Sequence, residues 1–334
     1  MTTVLLTGIS GFVAKRIAFD LLEDGYTVKG SLRSLARADE VRRAITPKLT
    51  DPAAIDRLSF TKLDLTSDDG WDAAMAGVDA VIHTASPFPL GTPKDESVVI
   101  KPAVDGTLRA LTAAQKAGVT RVVLTASMES VMHGATSDPI SETDFSNPDA
   151  ATCSAYTRSK IFAERAAWDF VAQRPEMQLT VINPGMVCGT PMDGHYGTSI
   201  NVVKRLFSGK DPMLPDMSLP YVDIENVSQM HVRALSRPET IGKRYVAAAS
   251  FETMADLGAS LAAEFPERGV ATKVAPNWLI RLLGLFDRQI KQTTKWLGWH
   301  PTLTNGAAQA DLGISFTPAH EAVLRSARFL ASEG

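Results

Sequence analysis

Tyr156-Thr157-Arg158-Ser159-Lys160 sets a phenol and an amine four residues apart. On a helix, positions i and i+4 lie one above the other on the same face, so the two groups can act together. A free tyrosine, with a pKa of about 10, is a poor acid-base partner at neutral pH until positive charge stabilises its phenolate. Lys160 supplies such charge. Upstream, the apolar run Arg121-Val122-Val123-Leu124 ends in Thr125-Ala126-Ser127, and a hydroxyl at a strand end points into the crevice where open sheets bind ligands. The pattern predicts a proton-transfer site in which Tyr156 is the acid, Lys160 its cationic neighbour and Ser127 the group that holds a substrate oxygen.

A second chemical signature opens the chain. Thr7-Gly8-Ile9-Ser10-Gly11-Phe12-Val13-Ala14 joins an apolar run to a helical pattern, with small residues at 8, 11 and 14. That spacing permits a tight turn, close backbone approach and a helix amino terminus whose unpaired N–H groups face an anion. A pyrophosphate fits there, which predicts a dinucleotide. An NAD site places an acidic residue at the end of the second strand, whereas Gly30-Ser31-Leu32-Arg33-Ser34 has none. Arg33, with Arg37 one turn later, is predicted to hold an extra phosphate, so NADPH/NADP+ is the expected cofactor. Asp64-Leu65 ends the third strand and Thr84-Ala85-Ser86-Pro87 the fourth; with Thr125 these positions are expected to line the cofactor.

The elements that carry these residues alternate. Val4 to Thr7 predicts a strand buried on both faces; Val13, Ile17, Ala18, Leu21 and Leu22 predict a helix closed by Gly25, and Tyr26-Thr27-Val28 a second strand. The alternation continues through Leu58 to Leu65, a helical stretch from Trp71 to Met75, the strand Ala80 to Ile82, a helix from about Val98 to Ala117, a strand at Arg121 to Leu124, a helix from Ser154 to Ala172 and a strand at Leu179 to Ile182. The fold class predicted is α/β, a doubly wound parallel Rossmann sheet with a smaller, mainly helical C-terminal substrate lobe. Residues 1–190 and about 215–250 form the dinucleotide-binding part, with Tyr221 to Ile224, Val227 to Leu235 and Arg244 to Val246 rejoining the sheet. Residues about 191–214 and 251–334 form the substrate lobe.

Composition narrows the partners. The 334 residues carry a net charge of -3, with 45% hydrophobic and 21% charged residues, which gives no positive field for nucleic acid or an anionic membrane. No apolar run is long enough to span a bilayer and no leader pattern opens the chain. Cys153 and Cys188 read as reduced, packed thiols of a cytoplasmic protein. The six histidines suggest no zinc spacing, and no metal is expected. The expected partner is a small molecule, and the chain a monomer or homodimer.

Taken in order, the phosphate turn, the strand-end serine, YxxxK and Ile182-Asn183-Pro184-Gly185 resemble the extended short-chain dehydrogenase/reductases. Within them the similarity is to dihydroflavonol reductases, cinnamoyl-CoA reductases and microbial aldehyde or ketone reductases. The motifs are TGISGFVA at 7–14, HTASP at 83–87, KPAVDGT at 101–107, LTAS at 124–127 and YTRSK at 156–160. The resemblance implies hydride transfer from NADPH to the carbonyl of an aldehyde or ketone, with Ser127, Tyr156 and Lys160 as the functional set. It also implies that Lys160 bonds the nicotinamide ribose and that Pro184, Gly185 and Val187 flank the nicotinamide. Ala103 stands where sugar-nucleotide epimerases carry an Asn, which favours the reductase branch. The Trp-Tyr-Cys run of the plant cinnamoyl-CoA reductases is absent, which disfavours a CoA thioester. Phe88, Met128, Met186, Met213, Leu214 and Tyr221 are expected to line an apolar substrate pocket. The alternatives are an NAD(P)-dependent sugar-nucleotide epimerase/dehydratase, a 3β-hydroxysteroid-type dehydrogenase, and a non-catalytic NADP-sensing regulator.

Overall fold

The computed structural model describes residues 1–86 and 95–333; Pro87 and Phe88 lie outside the described residues. Seven strands form one parallel sheet: β1 (Thr3–Thr7), β2 (Thr27–Leu32), β3 (Leu58–Lys62), β4 (Ala80–His83), β5 (Arg121–Thr125), β6 (Gln178–Pro184) and β9 (Arg244–Ala247), in the order β3-β2-β1-β4-β5-β6-β9. The chain reverses its direction of travel across the sheet between β1 and β4, and the carboxyl ends of strands on either side of that point border a crevice.

Strand β1 shows why its sequence has no polar alternation. Val4 and Leu6 face the helices α1 (Phe12–Glu23) and α7 (Ile224–Ser236), in one core with Ile17, Leu21 and Met230. Leu5 faces the opposite side, where α4 (Ser97–Lys116) and α5 (Ala155–Ala172) supply Ala110, Leu111 and Ala167. All three strand residues are fully buried, and each contributes roughly 1.5–3 kcal/mol by leaving water. The helices α2 (Ala38–Ile45) and α3 (Trp71–Met75) complete the two faces.

The second part differs from the expected continuation. Tyr221 to Ile224 does not rejoin the parallel sheet. Residues β8 (Ser218–Asp223) pair with β7 (Met186–Cys188) and, antiparallel, with β10 (Ser250–Thr253) in a separate three-stranded sheet. Arg244 to Ala247 does return to the main sheet, and Val227 to Leu235 packs on it within α7; a short strand around Phe251 precedes the mainly helical C-terminal part. The physical reason is a core of its own: Tyr221, Met217 and Cys188 pack with α6 (Thr198–Phe207), α8 (Met254–Glu264) and the helix Ala319–Ser332 through Val203, Leu257 and Val323. Among the described residues no helix is long and apolar enough to cross a membrane.

Candidate active site

The turn after β1 is built for close approach. Gly8 has φ 69°, and a Cβ there would lie 3.0 Å from that of Ala85; a Cβ on Gly11 would lie 3.2 Å from the Gly8 carbonyl oxygen. Ser31 braces the turn, its hydroxyl accepting from Gly8 N at 3.0 Å and its carbonyl from Ile9 N at 3.1 Å. Gly11 caps α1 without a side-chain hydrogen bond, so the first-turn N–H groups stay available to an anion. Phe12 and Val13 pack against the Val187 and Val222 cluster and fix where the helix begins.

The other residues expected around a dinucleotide divide into those with open polar groups and those committed within the fold. Arg33 is exposed and holds no hydrogen bond among the described residues. Arg37 is bound instead, donating to both Glu40 oxygens at 2.9 and 2.7 Å and to Ser10 Oγ at 3.1 Å. Thr7 Oγ1 accepts from the backbone of Thr84 and Ala85, each at 3.1 Å, and lies 2.9 Å from His83 Nδ1, so it ties the ends of β1 and β4 together. Thr84 donates its hydroxyl to the Thr7 carbonyl at 2.5 Å. Thr125 Oγ1 sits 2.7 Å from His231 Nε2. Asp64 folds onto Thr66, and Leu65 packs on Gly106, where a Cβ would be 3.1 Å away. Ala85 and Ser86 line a small cavity of about 10 Å³ with His83 and Lys160. Burial and the Lys160 charge hold the His83 imidazole down at about 4.

Ser127, Tyr156 and Lys160 come together. Ser127 follows β5 in extended backbone and starts a short turn, its Oγ accepting from Glu129 N at 3.2 Å. Ser154 caps α5 by accepting from Thr157 N at 3.1 Å, which places Tyr156 in the first turn and Lys160 one turn on. Ser127 and Tyr156 line one cavity, and Lys160 Nζ lies 5.7 Å from the centre of the phenol ring. Burial, reinforced by the charge of Glu129, pushes the Tyr156 phenol up; the Ser127 hydroxyl opposes it. Burial draws Lys160 down to about 8 against the pull of Glu129, so its ammonium form still predominates at pH 7.

Ser127 and Tyr156 open onto a cavity of about 170 Å³ lined by Met128, Glu129, Met132, Pro184, Gly185 and Met186, with Thr198 and Ser199 of α6 and Leu219 and Pro220 of β8. Of the residues expected to line it, Met128 and Met186 do. Tyr221 and Leu214 are corrected: they are 0% and 2% exposed in the core of the second sheet, because that core takes the large apolar side chains. Met213 is half-buried outside the lining. Gly185 is placed by close approach, since a Cβ would fall 2.4 Å from the Pro220 carbonyl oxygen. Gly185→Ala is therefore expected to cost about 1–3 kcal/mol by overpacking and to impair turnover by parting two walls of the cavity; an unchanged melting curve and unchanged rate would contradict this.

Sequence reasoning missed Glu129 and His133, although their i, i+4 spacing beside the strand-end serine was a usable signal. It also missed a buried pair under Ser127. Glu164 and Arg244 side chains are 1% and 7% exposed; Arg244 Nη2 donates to Glu164 Oε2 at 3.0 Å, while Nε, 2.7 Å from Oε1, is in ion-pair contact without hydrogen-bond alignment. Asn183 Nδ2 donates to that same Oε2 at 2.8 Å and to the Ser127 carbonyl at 3.1 Å. Among the described residues, three potential metal-ligand atoms gather within 4.8 Å only at Glu40, Asp193 and His195. There the Lys15 ammonium pairs with Asp193 and lies 3.8 Å from Glu40, supplying the positive charge itself.

A reversing parallel sheet with a glycine turn at its switch point and a Ser, Tyr and Lys set in the same crevice defines a nucleotide-dependent enzyme of the doubly wound type. The chain belongs to the NAD dependent epimerase/dehydratase family, whose model matches residues 4–248, and within it to the extended short-chain dehydrogenase/reductases. It is 30% identical over 336 residues to cinnamoyl-CoA reductase 1 of Petunia hybrida, covering 99% of this chain and 92% of that one. It is 31% identical over 287 residues to the NADPH-dependent methylglyoxal reductase of Saccharomyces cerevisiae, covering 79% and 83%. Yeast methylglyoxal/isovaleraldehyde reductase, solved in complex with NADPH, superposes with a TM-score of 0.81 at 28% identity, covering 100% of this chain and 99% of that one.

Proposed function

We propose that this protein is an NADPH-dependent oxidoreductase that reduces the carbonyl of an aldehyde or ketone, with Tyr156 as the proton donor. The observation that carries the reading is that Ser127 and Tyr156 line the same largely apolar cavity, with Lys160 one turn on and 5.7 Å from the centre of the phenol ring. Relatives and neighbours named as NADPH-dependent or NADPH-bound reductases support it.

The residues fit the cofactor. Gly8 and Gly11 leave room that a Cβ would fill, the start of α1 offers its N–H groups to the pyrophosphate, and Arg33 is open to the extra phosphate. Lys160 would bond the nicotinamide ribose, and Pro184, Gly185 and Val187 would flank the nicotinamide. When bound, NADPH supplies the hydride. Ser127 holds the carbonyl oxygen by its hydroxyl and fixes its distance from Tyr156. Tyr156 keeps its proton at neutral pH, because burial and Glu129 both resist the phenolate, and gives it up as negative charge develops on the carbonyl oxygen. The Lys160 ammonium stabilises the phenolate left behind. Met128, Met132 and Met186 give an adaptable apolar wall, which suits aromatic or alkyl carbonyl compounds. Cys153 and Cys188 are buried and unbridged, in keeping with a reducing compartment, and we place the enzyme in the cytosol.

The test is NADPH oxidation, followed by absorbance, across a panel of aldehydes and ketones; steady oxidation with some of them is expected, and none with any would overturn the reading. With it goes cofactor choice. Arg33→Ala is expected to weaken NADPH at least about tenfold through loss of a charge-assisted bond, with far less effect on NADH. Equal weakening of both would place the phosphate elsewhere.

A further inference from the structure

The substrate cavity holds one ionised group that the proposed chemistry does not consume. Among its described lining residues Glu129 alone carries charge, in a wall otherwise made of methionine, proline, glycine, leucine, serine, threonine and Tyr156. The carboxylate is held on one side only. His133 Nε2 at 2.9 Å and the Thr157 hydroxyl at 2.5 Å both bond Oε2. The Thr152 hydroxyl, 2.8 Å from His133 Nδ1, can donate there and leave Nε2 to donate to Glu129. No hydrogen bond among the described residues reaches Oε1, and this oxygen is not sealed from solvent. The Glu129 side chain keeps 24% of its surface accessible, whereas the His133 ring behind it keeps none. Although burial raises its pKa, the bonds from His133 and Thr157 and the Lys160 charge outweigh that, and the net shift is downward, so Glu129 is ionised at neutral pH.

We infer that Glu129 is a charge filter: the site takes neutral or cationic carbonyl compounds and rejects those bearing a carboxylate or phosphate near the carbonyl. This rests on the proposed carbonyl reduction and adds its substrate class. Within a poorly screened cavity a like charge a few ångströms away is repelled strongly enough to change binding by about tenfold or more. Glu129 N bonds Ser127 Oγ, and Thr157, the residue after Tyr156, bonds the Glu129 carboxylate, so all three meet in one cavity lining and a substrate whose oxygen is bonded there cannot keep a short anionic arm clear of the carboxylate.

Three related aromatic ketones with the charge next to the carbonyl test this: benzoylformate, its methyl ester and phenacyltrimethylammonium. We would measure kcat/KM with NADPH and, by calorimetry on the protein–NADP+ complex, Kd for each. The expected result is that benzoylformate is disfavoured against its ester by at least about tenfold in both quantities. Glu129→Gln is expected to narrow that gap about tenfold, mainly through KM, while Glu129→Asp preserves it. Loss of a merely structural bond would slow all three compounds alike and leave their ratio unmoved. A gap below about threefold in the wild type, or an unchanged gap in Glu129→Gln, would overturn the filter. If none of the three is reduced, that counts against the reductase reading, and the order of Kd values alone decides for or against the filter.

Discussion

Tyr156→Phe is expected to lower kcat by at least about 10²-fold, the scale of a lost general acid, while NADPH affinity stays close to wild type. The substitution removes one oxygen from a half-buried ring and leaves the Lys160 ammonium, the Gly8 turn and Arg33 in place. The Ser127 hydroxyl keeps its bond from Glu129 N and so remains positioned. Steady-state rates together with a fluorescence titration of NADPH separate the two effects. A variant that binds NADPH normally and turns over near the wild-type rate would show that Tyr156 is not the proton donor.

The second large effect is one of stability. Arg244→Ala strips the counter-charge from Glu164, whose side chain is 1% exposed, and leaves a buried carboxylate with Asn183 and the Trp168 indole as its remaining hydrogen-bond donors. Removing one partner of such a pair costs about 3–5 kcal/mol. Because Asn183 bridges Glu164 to the Ser127 carbonyl, activity is expected to fall with stability. The denaturation midpoint in urea checks this, and the double variant Glu164→Leu with Arg244→Met is expected to recover part of the loss, since no charge is then stranded. A single variant within about 1 kcal/mol of wild type would mean that water or a rearranged neighbour compensates the carboxylate.

Much of this architecture is readable from short-range patterns. Val4, Leu5 and Leu6 form an unbroken apolar run because the strand is covered on both faces, and that signal needs no knowledge of what covers it. The Tyr156 and Lys160 spacing is likewise local, set by one helical turn. What escapes is what depends on distant partners. Tyr221 and Leu214 have the size and polarity of pocket residues, but α6, α8 and the last helix enclose them, and nothing near them in sequence announces it. Glu164 and Arg244 are 80 residues apart, so their pairing is a property of the sheet order. Arg37 is a different case: Glu40 lies three residues on, and the helical spacing already offered it a partner closer than any ligand. The second sheet follows the same logic, since β7 finds β8 only after Gly185 lets the chain pass against Pro220.

Hydride is expected to reach the substrate carbonyl in the crevice where Tyr156 delivers the proton. The decisive measurement is to incubate the enzyme with a reducible aldehyde or ketone and NADPH deuterated at C4 in each of its two configurations. Deuterium is expected at the carbinol carbon of the product from one configuration only, with the hydroxyl proton drawn from solvent. Product without deuterium from either, or with equal transfer from both, would contradict a single fixed nicotinamide facing Tyr156.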